Sequence, residues 1–277
     1  GMGKNWRWLA KAFALFGVLA GLLGIGTITQ VNGIVNSLRN FFDPQNQKLV
    51  SLPVIGDYSI VVVIGAVLVT ASVALVLIGG IKRISNVAQI IVPFMAIIYI
   101  LICIVLLVCN ASEIPNAFAT IVKAAFCPKA VTGGAVGTIL VAMQKGVARG
   151  IFSNEAGIGS AAVTHSAAKV ENPAEQAVWG PLEVFVDTIV VCTITGLTIV
   201  LSGLWEAQEL DGVALTMGAF QKMLPGNWGQ YIVLGAVVLF GFSCLITFYN
   251  YMEKAWVALF GKGTIIAKVI WLVFILI

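Results

Sequence analysis

The chain has 277 residues, 60% of them hydrophobic and 10% charged, with a mean hydropathy of +1.02. A water-soluble domain carries about 25% charged residues, so this composition excludes one and marks an integral membrane protein. The net charge of +4, from 16 basic and 12 acidic side chains, is spread along the margins of apolar runs, which fits anchoring in a lipid bilayer and gives no nucleic-acid surface.

Windows of about 19 residues predict six full apolar spans and part of a seventh, all helical, in one membrane domain over 1–277. The first runs near Trp8 to Leu38, after a flank carrying Lys4, Arg7 and Lys11. Thr27, Thr29, Gln30 and Asn32 form a polar patch on it after Gly24 and Gly26, either facing a substrate or hydrogen bonding between helices. The second covers Tyr58 to Gly80 and the third Val87 to Val108, joined by a basic connection at Lys82 and Arg83. Pro44, Pro53, Pro115, Pro128, Pro173 and Pro225 are expected in connections, and Pro93 and Pro181 near helix starts.

The fourth span, Thr132 to Ala168, holds 37 residues. At 1.5 Å per residue that is about 55 Å, against a hydrocarbon core of about 30 Å. A break resolves the excess. Gly146, Gly150, Gly157 and Gly159 bracket Phe152, Ser153, Asn154 and Glu155, so the helix is expected to break near 150–159. Polar groups and irregular backbone at membrane depth belong where protein or a cavity surrounds them. A half-helix starting after the break would aim N–H groups at an anion, and the half before it would offer carbonyls to a cation. Gly133 with Gly137, and Gly146 with Gly150, equally satisfy the small-residue spacing of close helix packing.

The fifth span, Gln176 to Gly203, carries Glu183 and Asp187 four apart, as the fourth carries Lys145 and Arg149. Either these opposite charges pair between helices, or Glu155 or Asp187 belongs to a cation or proton path. His165 is read as a satisfied polar residue near a helix end. The sixth span, Gly229 to Phe260, is interrupted by Ser243, Thr247, Tyr249 and Asn250, whose oxygens can ligate a hard cation or bond back to the preceding turn. The last begins at Thr264 and reaches Ile277 after 14 residues, where a crossing takes about 20. Both ends are therefore expected to be cut.

The basic connections near Lys82, Lys169 and Lys254 to Lys262 fall on the side of the N-terminal flank, and the loop with Glu206, Glu209 and Asp211 on the other. The excess of positive charge predicts a cytoplasmic Gly1 end. One histidine, and the cysteines Cys103, Cys109, Cys127, Cys192 and Cys244 without a Cys-x-x-Cys pair, leave no ligand set for a transition metal, no nucleophile relay and no disulfide framework. No enzymatic role and no cofactor are expected.

The stretch Gly146 to Ser160, with Ala167-Ala168-Lys169 behind it, closely resembles the alanine or glycine:cation symporter family, the sodium:alanine symporters. Gly79 to Ile84 looks like that family's cytoplasmic turn, and Leu182 to Thr193 like the span after its broken helix. The resemblance implies the leucine-transporter fold of two inverted five-helix repeats, seen here as a partial bundle from the third core helix to part of the ninth. It implies sodium-coupled uptake of alanine or glycine across the plasma (inner) membrane by alternating access, or proton coupling on the same fold. Phe152, Ser153, Asn154, Glu155 and Gly157 would then lie at the amino-acid site, and Gln30 at a selectivity position in a segment where Thr27 replaces the family's Asn. Ser243 and Thr247 would hold sodium, and Phe248 replaces an expected Trp. The first repeat's broken helix has no counterpart, so the chain is expected to be a fragment needing upstream helices of its own polypeptide to transport. A channel would need a filter loop or pore-lining rings, and none is visible.

Overall fold

The computed structural model describes residues 6–23, 27–45, 47, 49–52, 56–126, 135–166, 168–206, 210, 212–224, 226, 228–261 and 264–276. The expectations on Lys4, Gly24, Gly26, Pro53, Cys127, Pro128, Gly133, Ala167, Glu209, Asp211, Pro225 and Lys262 lie outside the described residues, as does the side chain of Phe152. Helices α1 (Arg7–Leu23), α2 (Ile28–Phe42), α3 (Ile60–Ile78) and α4 (Gly80–Cys109) come first, with a hairpin of β1 (Leu49–Leu52) and β2 (Gly56–Ser59) before α3. Then follow α5 (Ile114–Phe126), α6 (Ala135–Ser153), α7 (Glu155–Ile158), α8 (Ala161–His165), α9 (Pro173–Ala177) and α10 (Trp179–Val184). A π-helical segment (Phe185–Val191) leads into α11 (Cys192–Ser202), and α12 (Gly212–Met223), α13 (Trp228–Phe260) and α14 (Thr264–Leu276) complete the order.

The regular elements among the described residues are thus helices and one antiparallel hairpin, with Leu49 opposite Ser59. Ile60–Ile78, Gly80–Cys109, Pro173–Ser202 and Trp228–Phe260 are long and apolar enough to cross a membrane. The first and fourth expected spans are not continuous. The first is divided into α1 and α2, with the Thr27 hydroxyl donating to the Leu22 carbonyl at 2.9 Å across the junction. The connection expected at Lys82 and Arg83 is shorter than its sequence suggested. Gly80 takes φ +67° and α4 starts there, so both cations sit in its first turn and Pro93 lies inside the helix, not near its start. Pro93 has no N–H to give the Gln89 carbonyl, one bond lost from a 30-residue helix. Pro173, expected in a connection, opens α9. Helices α5 and α12 occupy stretches read as loops.

The chain forms two compact units: Gly1–Tyr99 with Asp211–Met217 and Gly226–Ile277, and Ile100–Leu210 with Gly218–Pro225. In the first, α13 is the axis against which α1, α2, α3 and α14 pack. Gly17 and Gly21 of α1 make the approach close: a Cβ at Gly21 would touch Met252 Cβ at 3.4 Å and Trp271 Cζ3 at 3.5 Å. Val73, Leu77, Leu245, Ile246, Tyr249, Met252 and Trp271 fill the centre. The hairpin is tied down by Asp43, a buried carboxylate that accepts from Ser59 Oγ at 2.6 Å and the Gln47 N–H at 2.9 Å. Such bonds offset the cost of desolvating the charge. In the second unit α5 packs on α11. Lys222 Nζ donates to the Ser202 carbonyl at 2.6 Å, a cation at a helix C-terminus where Gly203 takes φ +69°.

A close approach between two helices of the first unit is at Gly241, where a Cβ would lie 2.7 Å from both Cγ1 and Cδ1 of fully buried Ile34. Gly241→Ala should therefore lower stability by about 1 to 3 kcal/mol through overpacking, read as a lower thermal midpoint in detergent. Gly235→Ala, on the same helix with nothing within 4 Å, should leave the midpoint in place.

Candidate functional site, a broken helix against a π-helical segment

Helix α6 ends because Asn154 is extended, at φ −132° and ψ 162°, and the chain cannot continue its ladder through that conformation. Asn154 then caps the next turn: its Oδ1 accepts the Gly157 N–H at 3.0 Å. Short polar side chains favour this position because they satisfy a donor the helix start leaves open. The turn is brief. Gly159, at φ +85°, carries the chain out of it, with its N–H on the Glu155 carbonyl at 2.8 Å. The half-helix expected after the break is thus a single turn, and one of its N–H groups is already bound by Asn154.

The two glycines of the interruption work differently. Gly159 supplies a left-handed conformation. Gly157 supplies proximity: a Cβ there would collide with the Ile151 carbonyl oxygen and lie 2.9 Å from its carbon. The backbone folds back onto the last turn of α6. Gly150 lies inside α6 with open space around it, on the helical side of the interruption.

The fifth span faces this break within the same unit. Ser153 Oγ donates to Asp187 Oδ2 at 2.6 Å and lies 3.4 Å from Cys192 Sγ. Asn154 Nδ2 donates to Thr188 Oγ1 at 3.3 Å. Thr164 Oγ1 donates to Glu155 Oε2 at 3.5 Å, closing the break from its far side. Asp187 and Thr188 both lie in the π-helical segment, whose wider turn makes neighbouring side chains diverge less than in an α-helix. The pairing of Lys145 and Arg149 with Glu183 and Asp187 is absent among the described residues. Glu183 Oε2 instead lies 3.8 Å from His165 Nε2, and His165 Nδ1 meets Gln176 Nε2 at 2.6 Å. His165 is a satisfied residue at a helix end, as read.

The remaining site candidates belong to the first unit. Gln30 is half-buried on α2, with a side chain unbonded among the described residues. On α13, Ser243 Oγ donates to the Phe240 carbonyl and Thr247 Oγ1 to the Ser243 carbonyl, both at 2.8 Å. The back-bonding alternative is what forms. It leaves each hydroxyl oxygen with lone pairs for a cation. Phe248 packs edge-on to Tyr251 with ring centroids 5.5 Å apart.

Sequence reasoning missed Thr188, Cys192 and Ser160. Ser160 Oγ is shielded and has no hydrogen-bond partner among the described residues, although the residue closes the polar run. Thr188 and Cys192 read as ordinary members of an apolar span. The π-helical register that turns Thr188 toward the break has no signature in hydropathy.

A profile of the "Sodium:alanine symporter family" matches residues 1–277. An "Uncharacterized transporter" of Haemophilus influenzae is 41% identical over 260 residues, covering 94% of this chain and 54% of that protein. The "Sodium/alanine symporter AgcS" of Methanococcus maripaludis is 39% identical over 269 residues, 95% of this chain and 53% of its own length. The "Putative sodium/proton-dependent alanine carrier protein YrbD" of Bacillus subtilis is 31% identical over 274 residues, with 94% and 52% covered. The chain spans about half the length of these relatives.

If Gly157 is fixed by backbone proximity, Gly157→Ala should cost about 1 to 3 kcal/mol. Gly146→Ala, with nothing within 4 Å, should stay within about 0.5 kcal/mol. Thermal unfolding of the two variants beside the parent measures the difference, and equal shifts would show that the approach to Ile151 is not limiting.

Proposed function

The chain belongs to the sodium:alanine symporter family, and on that premise we propose that it is the part of a secondary active transporter that carries one broken helix of the substrate site. The transporter couples uptake of a small neutral amino acid, alanine or glycine, to sodium moving down its gradient. Access alternates between the two sides of the plasma (inner) membrane, with no covalent chemistry. The observation that carries this reading is the break at Asn154: irregular backbone and polar side chains in a hydrophobic chain, held open by hydrogen bonds to the next span. Irregular backbone at membrane depth is tolerated where it lines a protein-enclosed cavity, which is the construction of carrier binding sites.

In this reading Phe152, Ser153, Asn154, Glu155 and Gly157 contribute to the amino-acid site, and Gln30 tunes selectivity from α2. Ser243 and Thr247 donate oxygen to sodium, a hard cation suited to hydroxyl and carbonyl ligands. The bundle is a partial leucine-transporter fold running from the third core helix into the ninth, and upstream helices of the same polypeptide supply the mirror half of the site. The Gly1 end is cytoplasmic, with Lys82 and Arg83 on the same side. Proton coupling is the second reading, favoured by similarity to a relative whose name includes a proton.

Transport assays on the full-length carrier test both ions. Asn154→Ala should raise the half-saturating alanine concentration by about tenfold, the loss of one to two hydrogen bonds, while Ile151→Val should leave it within about twofold. Equal effects would remove Asn154 from the site. Ser243→Ala should raise the sodium concentration needed for half-maximal uptake without changing the alanine dependence at saturating sodium. Uptake that follows an imposed proton gradient in sodium-free buffer would favour the second reading.

A further inference from the structure

We propose that Asp187 is a positioning residue that sets the hydrogen-bonding polarity of the break, and so selects a ligand carrying an ammonium group and a carboxylate together. The inference rests on the amino-acid site being at the break. A serine hydroxyl has one proton and two lone pairs. Asp187 engages the proton: its Oδ2 accepts from Ser153 Oγ at 2.6 Å. Ser153 therefore presents lone pairs alone. Cys192 Sγ, 3.4 Å away, can fill one with its weak S–H, and the other is left for a donor.

Asn154 is polarised the opposite way. Its Oδ1 is bound to the Gly157 N–H at 3.0 Å, which fixes the amide orientation. Its Nδ2 gives one hydrogen to Thr188 Oγ1 at 3.3 Å and keeps a second. Adjacent residues thus offer an acceptor at Ser153 and a donor at Asn154, the complement of an ammonium and a carboxylate on one small molecule. The π-helical segment touches both: Asp187 orients Ser153, and Thr188 takes one hydrogen of the amide that the Gly157 N–H has oriented. Asp187 forms no ion pair among the described residues, so its part here is that of an acceptor for Ser153.

Without that acceptor, Ser153 is free to turn its proton toward the carbonyl one turn back, as serines in helices commonly do, and the polarity is lost. In the full-length carrier, Asp187→Ala should raise the half-saturating alanine concentration by about tenfold or more, the scale of a hydrogen bond to a carboxyl group, with a smaller change in maximal rate. Asp187→Asn and Asp187→Glu, which keep an acceptor oxygen, should recover part of the loss. Ser153→Ala should show a comparable rise, and the double variant Ser153→Ala with Asp187→Ala should be no worse than Ser153→Ala alone. Additive losses, or an Asp187→Ala carrier with unchanged half-saturation, would overturn the proposal.

A second measurement does not depend on transport. Alkylation of Cys192, followed on its peptide by mass spectrometry, should quicken in Asp187→Ala as Ser153 leaves the thiol. If the parent protein takes up no alanine with any ion, the amino-acid reading fails, and quickened alkylation still shows Asp187 holding Ser153. If uptake is normal and Cys192 reacts alike in both proteins, the positioning role fails alone.

Discussion

A backbone that leaves its helix inside a membrane must have its N–H and C=O groups satisfied by protein, because the hydrocarbon offers nothing. That requirement governs the interruption at Asn154. One donor is answered by the Asn154 side chain, the Glu155 carbonyl accepts from both Gly159 and Ser160, and Ser153 and Asn154 are then held by the fifth span. The polar residues in this run are thus first the means by which an open backbone survives. Their capacity to bind comes from what remains after that requirement is met. Ser153 retains lone pairs, Asn154 a single hydrogen, and Ser160 a shielded hydroxyl without a partner among the described residues.

The two units solve different packing problems. In the first, small residues let helices approach: Gly17 and Gly21 on α1, and Gly241 on α13 against Ile34. Van der Waals contact drives association among apolar helices in lipid, and the same glycines set how close it becomes. The Ser243 and Thr247 hydroxyls of α13, bonded back to the preceding turn, are satisfied while keeping oxygen available. In the second unit the fifth span carries a π-helical segment, and its contact with the break is polar.

Much of this was legible in the sequence where a single physical cost dominates. An ionisable residue or an amide amid apolar neighbours is expensive, so the interruption at 150–159 was visible, as were the long helices at Ile60–Ile78 and Trp228–Phe260. What was hidden depends on tertiary partners. The division between α1 and α2 looked like one long span because both halves are apolar. Pro93 was assigned to a helix start because the preceding connection shrinks to two glycines, and the charges at Lys82 and Arg83 suggested a longer one. Of the two readings of Asp187, pairing with Lys145 or Arg149 does not form among the described residues, where Ser153 donates to its oxygen.

The π-helical segment has a consequence for length as distinct from composition. Phe185–Val191 holds more residues per turn than an α-helix would. Deleting a single residue there lets the span revert to an ordinary ladder, and because each residue of the wider turn rotates the chain by less, the shorter α-helical stretch turns about as far as the longer π-helical one did. Cys192 would keep close to its direction, and the change would fall inside the segment, on the angular spacing of Asp187 and Thr188. The residue count of this segment therefore governs how the two side chains that meet Ser153 and Asn154 are spaced, independently of which apolar residues surround them.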